Sequence, residues 1–160
     1  MNKQLVYERV LQSLEDACAA AIGAARQAHD TATDKESVAE NKYDTFGLEA
    51  SYLAHGQAKR VAEYEAGLNA FKSLGVVNFN NHSSIALGAL IQLEDDTGIE
   101  QYVFLGPMAG GLKFSVDNKE ITLITTSSPL GERLLDRYLG DEIEVKLSGQ
   151  NRTYEIIAIS

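Results

Sequence analysis

The hydrophobic period changes once along this chain, near Leu74, and that change limits the fold to two unlike halves. Before it, apolar residues recur every three or four positions for about seventy residues, interrupted only around 29–40. After it, short β-type runs alternate with turn residues. The pattern predicts an α+β chain. A helical hairpin over 1–74, with its tip at about 29–40, is followed by a linker over 75–84 and a β-rich domain over 85–160. A hairpin of this kind buries little on its own and is suited to reaching into something else.

Within the first helix Leu11, Leu14, Cys18, Ala21, Ala25, Ala28 and Ala32 follow steps of three and four, a coiled-coil seam that becomes alanine-only toward the tip. In the second helix Tyr43, Gly47, Ala50, Ala54, Gln57, Val61, Tyr64, Leu68 and Phe71 follow the same steps. The seams match when antiparallel, small residues facing small ones near the turn. Alanine and glycine there let the helices approach closely. A second helix over 38–74 would be on the order of 50 Å long at about 1.5 Å per residue. Dimerisation through a coiled coil is the plainest use of such a pattern.

The turn holds two overlapping capping boxes, Thr33-Asp-Lys-Glu36 and Ser37-Val-Ala-Glu40, so the second helix is expected to start at one of them. Charge is concentrated in the same place. Residues 1–74 carry eight Lys/Arg and eleven Asp/Glu, a net of −3. The stretch 30–44 alone has Asp30, Asp34, Glu36, Glu40 and Asp44 against Lys35 and Lys42, also −3. Once helical, Glu36, Glu40 and Asp44 form one stripe on the first turns, where the helix dipole favours acids. Capping accounts for Glu36 or Glu40 singly, but it does not require five acids within fifteen residues.

The whole chain, 160 residues with net charge −9, is one large domain or two small ones, and the charge argues against a broad basic face for duplex nucleic acid. No apolar run approaches the roughly 20 residues of a membrane span. The start, Met1-Asn-Lys-Gln-Leu-Val-Tyr-Glu-Arg, lacks signal-peptide character. Cys18 is the only cysteine, and no cysteine–histidine cluster exists for zinc. A reducing cytoplasm is the expected compartment.

In the second half, 85–93, 101–105, 120–125, 142–147 and 153–159 are candidate strands. Between them lie Asp95-Asp96-Thr97-Gly98, Gly106-Pro107, Asp117-Asn118 and Ser148-Gly149 as turns. One short helix interrupts them, with Ser128 as N-cap, Pro129 at its first position, and Leu130, Leu134 and Leu135 on its apolar side. A bent antiparallel sheet closed over one helix fits these elements. The three histidines lie in different elements, and neither a Gly-x-Ser-x-Gly nor a phosphate loop is present. Asp95-Asp96 and Asp141-Glu142 read as solvated turn acids.

Ser127-Ser-Pro-Leu-Gly-Glu-Arg-Leu-Leu135, then Gly140-Asp-Glu-Ile-Glu-Val145, then Tyr154-Glu-Ile-Ile157 resembles the carboxy-terminal domain of the bacterial transcript-cleavage factors GreA and GreB. Ala39-Glu-Asn-Lys-Tyr-Asp44 followed by Gly47-Leu-Glu-Ala50 resembles that family's tip segment. The resemblance implies an FKBP-like C-terminal domain and a hairpin inserted through the secondary channel of RNA polymerase. Tip acids would then help hold a second Mg2+ in the polymerase's own active site, where water attacks backtracked RNA. A carboxylate supplied in trans that fixes a loosely held metal is two-metal chemistry. The protein would be an accessory without activity or cofactor of its own, acting as a monomer, without membrane or sequence-specific DNA binding.

By the same resemblance Glu40 matches the glutamate of the family's Glu-Asn pair, and Ser128 and Pro129 match its polymerase-docking corner. The family's first tip acid is an aspartate, but Ser37 stands in that position here with Glu36 just before it. Glu40-Asn-Lys-Tyr43 is also one residue shorter than the family's Glu-Asn-Ala-Glu-Tyr. Glu36 and Asp34 are the candidates to replace the aspartate. Three readings stay open: a factor that stimulates cleavage, a competitor that occupies the channel without cleavage, and a coiled-coil dimer bearing an FKBP-like protein-binding module.

Overall fold

The computed structural model describes residues 1–34, 45–147 and 149–160. Two long helices come first, α1 (Lys3–Thr33) and α2 (Phe46–Leu74). Six strands follow, β1 (Leu90–Asp95), β2 (Glu100–Gly106), β3 (Lys113–Val116), β4 (Lys119–Thr125), β5 (Glu142–Leu147) and β6 (Gln150–Ile159), with α3 (Pro129–Leu134) between β4 and β5. Packing divides the chain into two units. One comprises Met1–Ser13 and Asn69–Ser160, the other Leu14–Leu68.

The helical unit follows the expected seam. Leu14, Cys18, Ala21 and Ala28 of α1 and Ala50 of α2 are buried, while Gly47, Ala54, Gln57, Val61 and Tyr64 are half-buried between exposed neighbours and Leu68 is half-buried beside the buried Gly67. Alanine at these positions keeps helix propensity high. Thr33 closes α1, its hydroxyl donating to His29 O at 3.0 Å, and the first capping box runs on to Glu36, outside the described residues. The second box lies outside the described residues. At the entry to α2, Thr45 O accepts the Glu49 amide at 2.8 Å and the Thr45 hydroxyl donates to the Glu49 carboxylate at 2.8 Å.

The sheet unit is built around the order β3-β4-β2-β1-β6-β5. All neighbours run antiparallel except β2 and β4, which are parallel because the β3 strand is inserted between them in sequence. β3 is an additional strand. Its short Phe114/Val116 alternation pairs back on β4 through Asp117-Asn118, both at positive φ (52° and 60°), the geometry of a tight hairpin turn. The expected strand over 85–93 begins later, at Leu90. Ile85 and Ala89 are buried but lie in an irregular approach, with Gly88 at φ 87° and its amide donating to Leu105 O at 2.7 Å.

Both faces of the sheet are covered. On one, Leu130 and Leu134 of α3 join Ile91, Leu93, Val103, Leu105, Ile143, Val145, Tyr154 and Ile156 in a single core. On the other, Phe71 from the last turn of α2 packs against Phe104, ring centroids 6.2 Å apart, and is fully buried. This explains why Val103-Phe104-Leu105 is a continuous apolar run rather than an alternating one. Tyr7 of α1 donates its hydroxyl to Phe71 O at 2.7 Å.

Lys3 ties α1 to the end of β6 by donating to Ser160 O at 2.7 Å, with its Nζ 4.3 Å from the centroid of the Phe79 ring. Those contacts favour the ammonium, yet burial outweighs them and pulls the group from 10.5 to about 8. The folded value lies below the unfolded one, so the unfolded chain binds more proton between them. The stability contributed by Lys3 is therefore lowest below pH 8 and rises as pH climbs toward 10.5. Thermal melts of the parent and Lys3→Met should show the parent gaining relative to the variant between pH 8 and pH 10. A pH-independent difference would refute this assignment.

Candidate functional site

The Ser128-Pro129 corner is assembled by local chemistry. Ser128 has extended backbone (φ −76°, ψ 151°), and its Oγ accepts the Gly131 amide at 3.1 Å while donating to Thr125 O at 2.7 Å. Pro129, at the first helical position, has no amide to leave unsatisfied and presents an exposed ring. The Ser128 amide also donates to Thr125 O, at 3.0 Å, so Thr125 O receives two bonds and the turn closes tightly against the helix. A Cβ on Gly131 would come 1.9 Å from Thr125 O, which explains the glycine within the helix. Cap and proline were legible from residue type; this close approach was not.

Among the acids near the hairpin turn, Asp34 is exposed and immediately follows α1. Glu36 and Glu40 lie outside the described residues. Among the described residues no group of three or more His, Cys, Asp or Glu could hold a metal ion.

The start of α2 holds a feature that sequence periodicity passed over. Phe46, Leu48, Tyr52 and Leu53 are exposed, at 56, 58, 70 and 56 %. Phe46, Ala50 and Leu53, with Ala24, Ala28 and Thr31 of α1, border a hollow of about 400 Å3. The signal was present as large apolar residues off the seam, on consecutive turns of a helix whose seam is made of small residues. Exposed apolar residues clustered in this way mark contact surfaces more often than isolated ones do.

A two-helix hairpin joined to a six-stranded sheet with a capped serine–proline corner defines a two-part scaffold, and similarity to known proteins gives it a family. Residues 80–160 match the family model described as transcription elongation factor, GreA/GreB, C-terminal. The chain belongs to the GreA/GreB family. It is 32 % identical over 117 residues to transcription elongation factor GreA of Desulfovibrio desulfuricans, covering 71 % of this chain and 67 % of that protein. It is 29 % identical over 103 residues to GreA of Psychromonas ingrahamii, covering 62 % of this chain and 60 % of that protein. The chain thus spans about 60 % of the length of relatives of the latter kind. The crystal structure of GreA factor homolog 1 from Thermus thermophilus matches with a TM-score of 0.39 at 22 % identity, over 96 % of this chain and 94 % of that one.

Proposed function

We propose that this protein is an RNA polymerase-binding transcription elongation factor whose sheet domain docks on the enzyme and whose hairpin enters the secondary channel. The family match over 80–160, which contains the Ser128-Pro129 corner with its exposed proline, carries this reading. The factor is an accessory of the cytoplasmic transcription machinery, monomeric, and acts through the polymerase active site. Glu40 is its principal acid, with Glu36 or Asp34 as the second. A Mg2+ ion shared with the polymerase would supply Lewis-acid stabilisation of the phosphodiester under attack. This chain's part is to bring carboxylates to that ion on a helical support.

The departures at Ser37 and at the shortened Glu40-Asn-Lys-Tyr43 favour a second reading, occupancy of the channel without cleavage. Stalled, backtracked complexes supplied with magnesium separate the two. The first reading expects shortened transcripts with the parent and loss of shortening by at least tenfold with Glu40→Ala. Retained binding without shortening identifies the competitor. Cleavage by Glu40→Ala equal to the parent removes the metal role of that residue. A stable dimer in light scattering, with no affinity for polymerase, would overturn both readings.

A further inference from the structure

Among the described residues, β5 is the last strand at one end of the sheet and is bonded only to β6. Just before it, the Gly140 amide donates to Ile156 O at 2.8 Å, and the Ile156 amide donates to Asp141 O at 3.0 Å. With Gly140 at φ 85° this is a glycine bulge, and it sets the phase of the ladder. In an antiparallel pair, residues alternate between those that bond the partner strand and those whose N–H and C=O point away. Asp141, Ile143 and Val145 share the bonded phase. The backbone groups of Glu142, Glu144 and Lys146 therefore point out of the sheet along an open edge.

That edge borders a hollow of about 290 Å3 that is also lined by Arg133, at the end of α3, and Arg137, just beyond it. Both arginines are exposed, and neither takes part in a salt bridge among the described residues. A row of unpaired backbone groups beside two free guanidinium forks suits an incoming strand with carboxylates, because Arg pairs such groups bidentately. Side chains of an added strand alternate between faces. One set would meet Arg133 and Arg137, and the other would lie beside Glu142, Glu144 and Lys146. The acids must therefore occupy every second position.

We propose that the β5 edge takes up an extended segment of a partner protein, with carboxylates at alternate positions, as a seventh strand of the sheet. This does not rest on the polymerase reading. The test uses the full chain and a fluorescein-labelled ten-residue peptide alternating aspartate and threonine, followed by anisotropy and by amide hydrogen exchange. The expected result is saturable binding with exchange at Glu142, Glu144 and Lys146 slowed at least tenfold. Affinity should fall roughly tenfold in the Arg133→Ala/Arg137→Ala double variant, and a lysine–threonine peptide should not bind. No anisotropy change at millimolar peptide would overturn the proposal, as would binding without protection of the three amides. Edge amides already protected in a dimer would overturn it too, since a second copy would then occupy the strand position.

Discussion

Replacing Gly131 with alanine should lower the melting temperature of the sheet unit by roughly 10 °C, more than loss of the Ser128 cap itself. The added methyl would sit 1.9 Å from Thr125 O and 2.9 Å from Ser128 Oγ, and the first of these is backbone that cannot rotate aside. Relief requires the turn between β4 and α3 to open, breaking the two bonds that Thr125 O receives. Overpacking of this kind costs about 3 kcal/mol, the upper part of its usual range, and each kcal/mol moves the midpoint by about 2–4 °C in a chain of this size. Ser128→Ala removes the cap, worth about 0.5–2 kcal/mol, together with the hydroxyl's bond to Thr125 O, but forces no atoms together. The two variants therefore rank in a stated order in thermal melts, and an unchanged Gly131→Ala would mean that the corner is built differently.

Phe71→Ala should destabilise by about 3–5 kcal/mol, the usual cost of removing a fully buried aromatic ring. The ring lies against Gly106, where a Cβ would meet Phe71 Cζ at 2.5 Å. The glycine exists to admit the ring, so the two positions are coupled. Gly106→Ala should be costly in the parent and less so by at least about 1 kcal/mol in the Phe71→Ala background, where its main obstacle is gone. Urea unfolding of the four-member cycle measures this directly. Strict additivity would show that the ring and the glycine do not share one space. Leu123 Cδ1, 3.0 Å from the same Cβ, accounts for whatever cost remains.

What could be read in advance was chemistry acting over a few residues. The alternating small seam of α1 and α2, the Ser128 cap and the Pro129 start each depend on nearest neighbours, and each is found where its residue types place it. Features that depend on distant chain escaped. β3 is four residues long and too short for its alternation to stand out, and it becomes a strand by pairing with β4. Ile85 reads as strand because it is apolar, but it is buried before the strand begins. Gly131 looks like a poor helix residue until Thr125 is placed beside it. Of the tip acids, Asp34 is located at the exit of α1, whereas Glu36 and Glu40 belong to the segment outside the described residues.

The division of the chain into units has a kinetic meaning. The sheet unit is discontinuous, drawing Met1–Ser13 from before the helical unit and Asn69–Ser160 from after it. Its strand β6, the last of the six in sequence, lies between β1 and β5 rather than at an edge. Neither the Tyr7 bond to Phe71 nor the Lys3 bond to Ser160 can form locally, the second joining residues 157 positions apart. The helical unit, Leu14–Leu68, is one continuous segment and is free to order while synthesis continues. The β-domain has to wait for β6, with apolar strands β1 and β2 exposed meanwhile. During translation, the helical unit can therefore order before the sheet unit is complete.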